Sequence, residues 1–285
     1  MWPERHVPAL LFYSSLSRSL TPQSVCADRA SGCFLRAKDV VYCKRTLVYE
    51  NHAGKTEEGM RIIFVRHGEP NYEKDCLTET GRKQAAAAAQ RLAQEGISEI
   101  YASPMGRAAE TAAYTAGKLG LPVHTLDYMH EISWGGEGIP QEGHPWTLGD
   151  WLMDRDNFDF YREDWRQHPY FKNNIALNYL NEISSQFDAL LLGQGYRHEG
   201  IRYFCETDQE KTIAVFSHGG SGACALAHLL ALPFPYVCSV MPYGLTSVTI
   251  LAFPVQKGAY VHPRIELFND LAHTLSNAGD LVFKR

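Results

Sequence analysis

The sequence predicts an α/β fold: a three-layer α/β/α sandwich with a mainly parallel central sheet and a largely helical, aromatic-rich insertion. Three observations carry this expectation. From Met60 onward, short apolar strand runs alternate with helical segments across short loops, the pattern of strands joined by crossover helices. Ile62-Ile63-Phe64-Val65 is apolar at every position, as a strand buried on both faces must be. The stretch from Trp134 to Tyr203 breaks the alternation and holds 13 of the chain's 33 aromatic residues.

The elements follow in order. Thr78 to Glu95 is an Ala-rich helix with Thr78 at the N-cap and Gly96 as its stop. Ile100 to Ala102 is a short strand. Ser103-Pro104 reads as an N-cap with proline in the first turn of a helix that runs to Gly120. Val123 to Leu126 is an edge strand, and Thr212 to Phe216 a β-branched inner strand. Gly219-Gly220 opens a helix through Leu230, and Thr246 to Phe253 is a late strand. Within the insertion, about 134–204, Leu177, Leu180, Ile183, Phe187, Leu190 and Leu191 fall at helical spacing. Its aromatics read first as the core of a cap and second as a surface for stacking a nucleoside or sugar.

A chain of 285 residues, 45% apolar and 21% charged, buries a sizeable core and is neither disordered nor collagenous. A net charge of −5 provides no basic field for nucleic acid or an anionic membrane, and no apolar run reaches the length of a membrane helix. Seven cysteines without a Cys-x-x-Cys pair read as reduced thiols in a cytoplasmic protein. The apolar run Val7 to Tyr13 follows Arg5 but lacks a convincing cleavage site. Residues 1–59 carry net +2 and no sustained helical period, with one strand-like stretch at Val40-Val41-Tyr42, whereas residues 60–285 carry net −7. Glu57-Glu58-Gly59 is encodable by a purine-rich, ribosome-binding-like tract. Residues 1–59 are therefore expected to be an extension, either a disordered tail or sequence upstream of a natural start at Met60, with a family-specific extension as the alternative. Residues 60–285 are expected to be the catalytic domain.

The chemistry concentrates at strand ends. The first strand runs into Arg66-His67-Gly68-Glu69-Pro70, and Thr212–Phe216 runs into Ser217-His218-Gly219-Gly220. In α/β sheets ligands bind beyond the carboxyl ends of the strands. Two strands that both deliver histidine there, one followed by a glycine-opened helix N-terminus, define an anion site. Arg107 follows the strand Ile100–Ala102 and falls at the same edge, where Arg66 and Arg107 can fork around a phosphate. The bland alternative for Arg107 is a surface salt bridge with Glu110.

These motifs, together with Leu77-Thr78-Glu79-Thr80-Gly81-Arg82-Lys83-Gln84-Ala85, the run Ser103 to Thr111 and the tail Phe268-Asn269-Asp270-Leu271-Ala272-His273, resemble the histidine phosphatase superfamily, the phosphoglycerate mutase-like or RHG family. The resemblance spans roughly 60–135 and 205–275. It implies His67 as the nucleophile carrying a phosphohistidine, and Arg66, Arg107 and His218 as the groups that neutralise the phosphoryl oxygens. Gly219 and Asn71 join the expected substrate contacts. The acid implied is Glu131, in Tyr128-Met129-His130-Glu131-Ile132-Ser133-Trp134, with Glu137 and Glu142 as substitutes; the arginines favour its charged form in the free enzyme. Pro70 stands where many members have threonine. The Glu-Arg-His-Tyr-Gly run of the mutases is missing, which favours hydrolysis of a small phosphorylated metabolite over mutase or bisphosphatase chemistry. A non-catalytic phosphate-binding module is the alternative outside enzymology. No cofactor is expected, and no metal: the Arg/His cluster supplies the charge, and no His-Glu-x-x-His or paired-cysteine motif is present.

Overall fold

A computed structural model describes residues 36–37, 40–41, 59–140 and 143–277. The chain divides into two units, Met1–Asn51 and His52–Arg285. In the first, Arg36–Ala37 pairs antiparallel with Val40–Val41, where the sequence suggested a strand. The rest of the extension, with the question of a start at Met60, lies outside the described residues.

The second unit is built on a sheet of strands β1 (Gly59–Arg66), β2 (Glu99–Ala102), β3 (Val123–Thr125), β4 (Lys211–Ser217), β5 (Val248–Pro254) and β6 (Arg264–Asp270), in the spatial order β6-β5-β1-β4-β2-β3. β1, β4, β2 and β3 are mutually parallel, and β5 is antiparallel to both of its neighbours. The apolar run of β1 is buried on both faces as expected. Ile63 and Val65 join one core with Leu92, Ala112 and Ala116, whereas Ile62 and Phe64 join the other with Leu180, Phe187 and Leu226. Alternate side chains of one strand thus serve two cores, each large one contributing on the order of 1.5–3 kcal/mol.

On the first face lie α1 (Glu79–Leu92) and α2 (Gly106–Leu119); on the second lie α4 (Ala176–Gly193) and α5 (Gly219–Leu229), with the shorter α3 (Pro145–Asp154) and α6 (Phe234–Val240) packed beside them. Buried alanines (Ala85, Ala88 and Ala89 in α1; Ala108, Ala112 and Ala116 in α2) line the inner sides of the first pair. Thr78 caps α1 by accepting from Gly81 N, 3.0 Å, as its position predicts. Two end signals differ from expectation. α1 ends at Leu92, and Gly96 closes the following turn with φ +69. α2 opens at Gly106, not at Pro104, with Met105 as N-cap making no side-chain bond. Ser103 is freed from capping by a demand made at the site described below.

The insertion is helical in α3 and α4, but it also contains a hairpin, Tyr196–Glu199 with Arg202–Cys205, extended by Tyr260–Val261. Trp165, Phe171, Phe187, Tyr196 and Tyr203 are buried in the second core, so these aromatics pack the cap. Among the described residues, Cys76, Cys205, Cys224 and Cys238 are free thiols, and no helix is long and apolar enough to cross a membrane.

One close approach fixes the β1 exit against α1. A Cβ on Gly68 would lie 2.6 Å from the Gly81 carbonyl oxygen, and a Cβ on Gly81 would collide with the Glu69 carbonyl oxygen. Gly81→Ala is therefore expected to cost ~1–3 kcal/mol, read as a lower urea midpoint at unchanged m-value.

Candidate active site

The parallel pairing of β4 between β1 and β2 sets the site. Ser217 is level with Arg66, and Phe216 with Ala102. The ladder continues one step past the strands: His67 N donates to Ser217 O, 3.0 Å, and Ser103 N donates to Phe216 O, 2.9 Å. His67, His218 and Ser103 therefore leave the sheet side by side, and the two imidazole rings stand 5.1 Å apart.

His67 is 1% exposed. Its Nδ1 contacts the Gly68 carbonyl oxygen at 2.7 Å; a carbonyl only accepts, so Nδ1 carries the proton and Nε2 keeps its lone pair. Burial, aided by Arg66 and Arg107, pushes its pKa down to about 3. His218 is fully buried, with Nε2 2.7 Å from Ser103 Oγ. Burial and then His67 and the two arginines push its pKa down to about 2. Both rings are therefore neutral, and His218 acts as a hydrogen-bonding group rather than as a cation until an anion arrives.

The fixed positive charge comes from the arginines. Arg66 Nη1 donates to the Tyr243 carbonyl, 2.5 Å, and its Nε is buried without a protein partner among the described residues. Arg107 Nη1 pairs with Asp75 Oδ1, 2.6 Å, while Asp75 Oδ2 accepts from Gly106 N, 2.7 Å; Arg107 Nε is likewise buried and unpartnered. Asp75 thus caps α2 and holds the arginine that follows. It takes a left-handed φ of +46, and a Cβ on Gly106 would collide with its carbonyl oxygen. Glu110, the partner suggested for Arg107 from sequence, instead holds Arg82 and Leu77 N, each at 2.7 Å.

Glu131 Oε1 accepts from Gly220 N (2.9 Å), Ile132 N (3.0 Å) and Ser221 N (3.2 Å), which seats the carboxyl on the N-terminus of α5. Burial raises its pKa against the pull of the Ile132 N–H, Arg66 and the α5 N–H groups. The net shift thus runs against the pull of the arginine, because burial outweighs it. Of its substitutes, Glu137 is exposed and Glu142 lies outside the described residues. A Cβ on Gly220 would lie 2.7 Å from Glu131 Oε1 and collide with Ile132, so this glycine makes room for the acid. Gly219 lies against Arg66, where a Cβ would sit 3.5 Å from Cζ. Asn71 uses its amide oxygen locally, accepting from Lys74 N at 3.2 Å, which leaves its NH₂ for a ligand.

Sequence reading missed the supports: Asp75, Ser103, Thr111, Tyr243 and Thr246. Gly68 N donates to Thr111 Oγ1, 3.1 Å, and Thr111 donates to Arg107 O, 2.7 Å, joining the two motifs. Thr246, at φ +56, aims its N–H at the carbonyls of Arg66 (3.1 Å) and His67 (3.3 Å). A β-branched residue in that region is strained, and here it fixes the loop that carries the histidine. The tail motif serves the same loop: Asn269 Oδ1 accepts from Gly244 N, 2.8 Å, and His273 Nε2 lies 3.2 Å from Thr246 Oγ1. Among the described residues, the one group of side chains at metal-ligand spacing is Asp188, His198 and His228, on α4, the hairpin and the far part of α5.

Known proteins resemble this chain in sequence and in fold. The model of the histidine phosphatase superfamily (branch 1) matches residues 62–167. The chain is 34% identical over 183 residues to a probable phosphoglycerate mutase GpmB of Yersinia pestis (strain Pestoides F), covering 61% of this chain and 76% of that protein. It is 32% identical over 157 residues to the mitochondrial serine/threonine-protein phosphatase Pgam5 of Drosophila ananassae, spanning about half of that relative's length (51%) and 53% of its own. Among solved structures, the mycobacterial glucosyl-3-phosphoglycerate phosphatase complexed with VO3 shares the fold at a TM-score of 0.51 and 23% identity, over 73% of this chain and 98% of that one. A second fold neighbour, mycobacterial hydrolase 2, gives 0.52 and 22%, over 76% and 96%. With two histidines and two arginines converging at adjacent strand ends, and with these relatives, the chain belongs to the histidine phosphatase superfamily.

Proposed function

We propose that the protein is a metal-independent phosphomonoester hydrolase that works through a phosphohistidine on His67, with a small phosphorylated metabolite as substrate. The observation that carries this reading is the tautomer of His67: the Gly68 carbonyl holds the Nδ1 proton and leaves the Nε2 lone pair free, beside two guanidinium groups. Nε2 attacks phosphorus as the ester P–O bond breaks. Glu131 gives its proton to the departing oxygen. Water then attacks the phosphohistidine, returns a proton to Glu131 and releases inorganic phosphate. Arg66, Arg107 and His218 hold the three peripheral oxygens, where charge spreads in transfer. The unpartnered Nε atoms of both arginines support this assignment. A mutase would return the phosphoryl group to a second hydroxyl instead of to water, so product analysis separates the two readings.

His67→Ala is expected to abolish phosphate release from p-nitrophenyl phosphate with the far-UV circular dichroism unchanged. Turnover within tenfold of wild type would remove the nucleophile assignment. Addition of EDTA to the assay is expected to leave kcat unchanged; loss of turnover restored by a divalent metal would overturn the metal-independent chemistry.

The acid is tested by leaving group and by pH. Glu131→Gln is expected to slow phosphoryl transfer from a sugar phosphate far more than from p-nitrophenyl phosphate, whose leaving group needs little protonation. Single-turnover measurements isolate that first step. Because burial raises the Glu131 pKa, its acid form persists to higher pH than for an ordinary carboxyl and is lost as pH rises through the raised value. The wild-type rate for the sugar phosphate should fall on that alkaline side, and the glutamine variant should lack that component. Burial pushes the His67 pKa down to about 3, so its titration falls on the acid side and is separate from this alkaline limb. Equal rate losses on both substrates would exclude Glu131 as the proton donor.

Asp75→Asn keeps the size of the side chain but weakens its hold on Arg107. It is expected to lower kcat by roughly 10- to 100-fold with a smaller change in KM, since the arginine is needed most in the transition state.

A further inference from the structure

The cluster Asp188, His198 and His228 lies away from the phosphoryl site. His228 stands ten residues beyond His218 on the same helix, about 15 Å along its axis at the rise of an α-helix. His228 Nε2 is 2.7 Å and His198 Nδ1 3.0 Å from the same oxygen, Asp188 Oδ1, and one ligand atom from each residue lies within 4.8 Å of the others. All three side chains are partly buried.

Proton accounting makes this arrangement informative. His198 Nε2 contacts the Gly200 carbonyl oxygen at 2.7 Å, so the proton of a neutral ring resides there. Its Nδ1 then turns a lone pair toward an acceptor-only carboxylate at 3.0 Å. Two like lone pairs at that distance need a positive species shared between them, either a second proton on the ring or a metal ion. The Gly200 carbonyl is the outer partner that a metal-ligating histidine needs to fix its tautomer. Gly200 itself, at φ +68 in the hairpin turn, is what aims that carbonyl. Beside it, Tyr203 is fully buried and stacks on the His198 ring at 4.7 Å, and its hydroxyl, within the field of Asp188, has no protein partner among the described residues.

We propose that Asp188, His198 and His228 form a binding site for a divalent transition-metal ion of the zinc type, which staples the hairpin and α4 to the outer end of α5. Two imidazoles and one carboxylate are a known zinc ligand set, with the fourth position left to water. Tetrahedral ligands about zinc stand about 3.3 Å apart, so the separations of 2.7 and 3.0 Å from Asp188 Oδ1 need to open by about 0.6 and 0.3 Å. No contiguous motif announces it, because the ligands come from three elements, 10 and 30 residues apart. The ion is placed too far from His67 to polarise a phosphoryl oxygen, and its role here is structural.

The test uses the untagged full chain, stripped with chelator and titrated with Zn²⁺ or Co²⁺ at pH 7.5. One equivalent is expected to bind. Co²⁺ should give a visible absorption band of tetrahedral intensity, and Zn²⁺ should raise the thermal midpoint. His198→Gln, on the hairpin, should remove both the band and the thermal shift; Asp188→Asn should do the same and serves as the second variant if the first fails to fold. His67→Ala should keep both, which separates this site from the phosphoryl pocket. No binding by the wild type, or binding unchanged in both ligand variants, would overturn the site. Activity of the stripped protein below its midpoint is expected to match that of the zinc-loaded protein, so the outcome here is independent of the proposal for His67.

Discussion

The register of β4 between β1 and β2 is the constraint on which the site depends. Each strand ends one residue before a functional side chain, and the hydrogen bonds His67 N to Ser217 O and Ser103 N to Phe216 O carry the ladder into the loops. A one-residue slip of β4 would turn its buried side chains to the wrong face and withdraw His218 from His67. That slip is opposed by apolar burial on both faces, since Ile213 and Val215 pack in one core and Ala214 and Phe216 in the other. Hydrophobic patterning thus sets which side chains leave the strand ends side by side, although neither histidine belongs to either apolar core.

The loops beyond the strands have no such ladder, and side chains hold them instead. Asp75 ties Arg107 to the start of α2, Thr111 ties Gly68 to Arg107, and Thr246 with Asn269 and Tyr243 ties the β1 exit to the late strands. These supports converge from both sheet edges on Arg66, His67 and Arg107. Holding the loops this way comes at the expense of a left-handed Asp75 and Thr246.

Much of this was legible in the residues. The parallel sheet, the two core faces of β1, the caps at Thr78 and Gly120 and the convergence of His67, His218, Arg66 and Arg107 follow from apolar periodicity and from where polar residues interrupt it. What escaped depends on contacts between distant segments. Ser103 reads as a helix cap because Ser-Pro usually is one, but the hydroxyl meets His218, and Met105 takes the cap position. Asp75 sits in an ordinary-looking loop, and nothing local reveals that it faces residue 107. The hairpin at 196–205 follows directly on the helical run of α4, which set the reading of the insertion, and its pairing with Tyr260–Val261 is a tertiary decision.

The protonation states of the pocket bear on whether it turns over or merely binds. A site built only to capture phosphate gains from every permanent positive charge. Here the two histidines are buried hard enough to be neutral, which gives up attraction for an incoming dianion. A neutral His67 is of no use as a counter-ion, whereas the proposed role as nucleophile requires it. Glu131, seated on the amide groups of α5 with its pKa raised by burial, opposes an anion when charged and in the proposed mechanism serves the leaving group when protonated. On the proposed reading the two arginines supply the fixed positive charge, and His218 adds a hydrogen bond to the phosphoryl oxygens instead of a second cation. That division of charge favours the proposed hydrolase over a module that only captures phosphate.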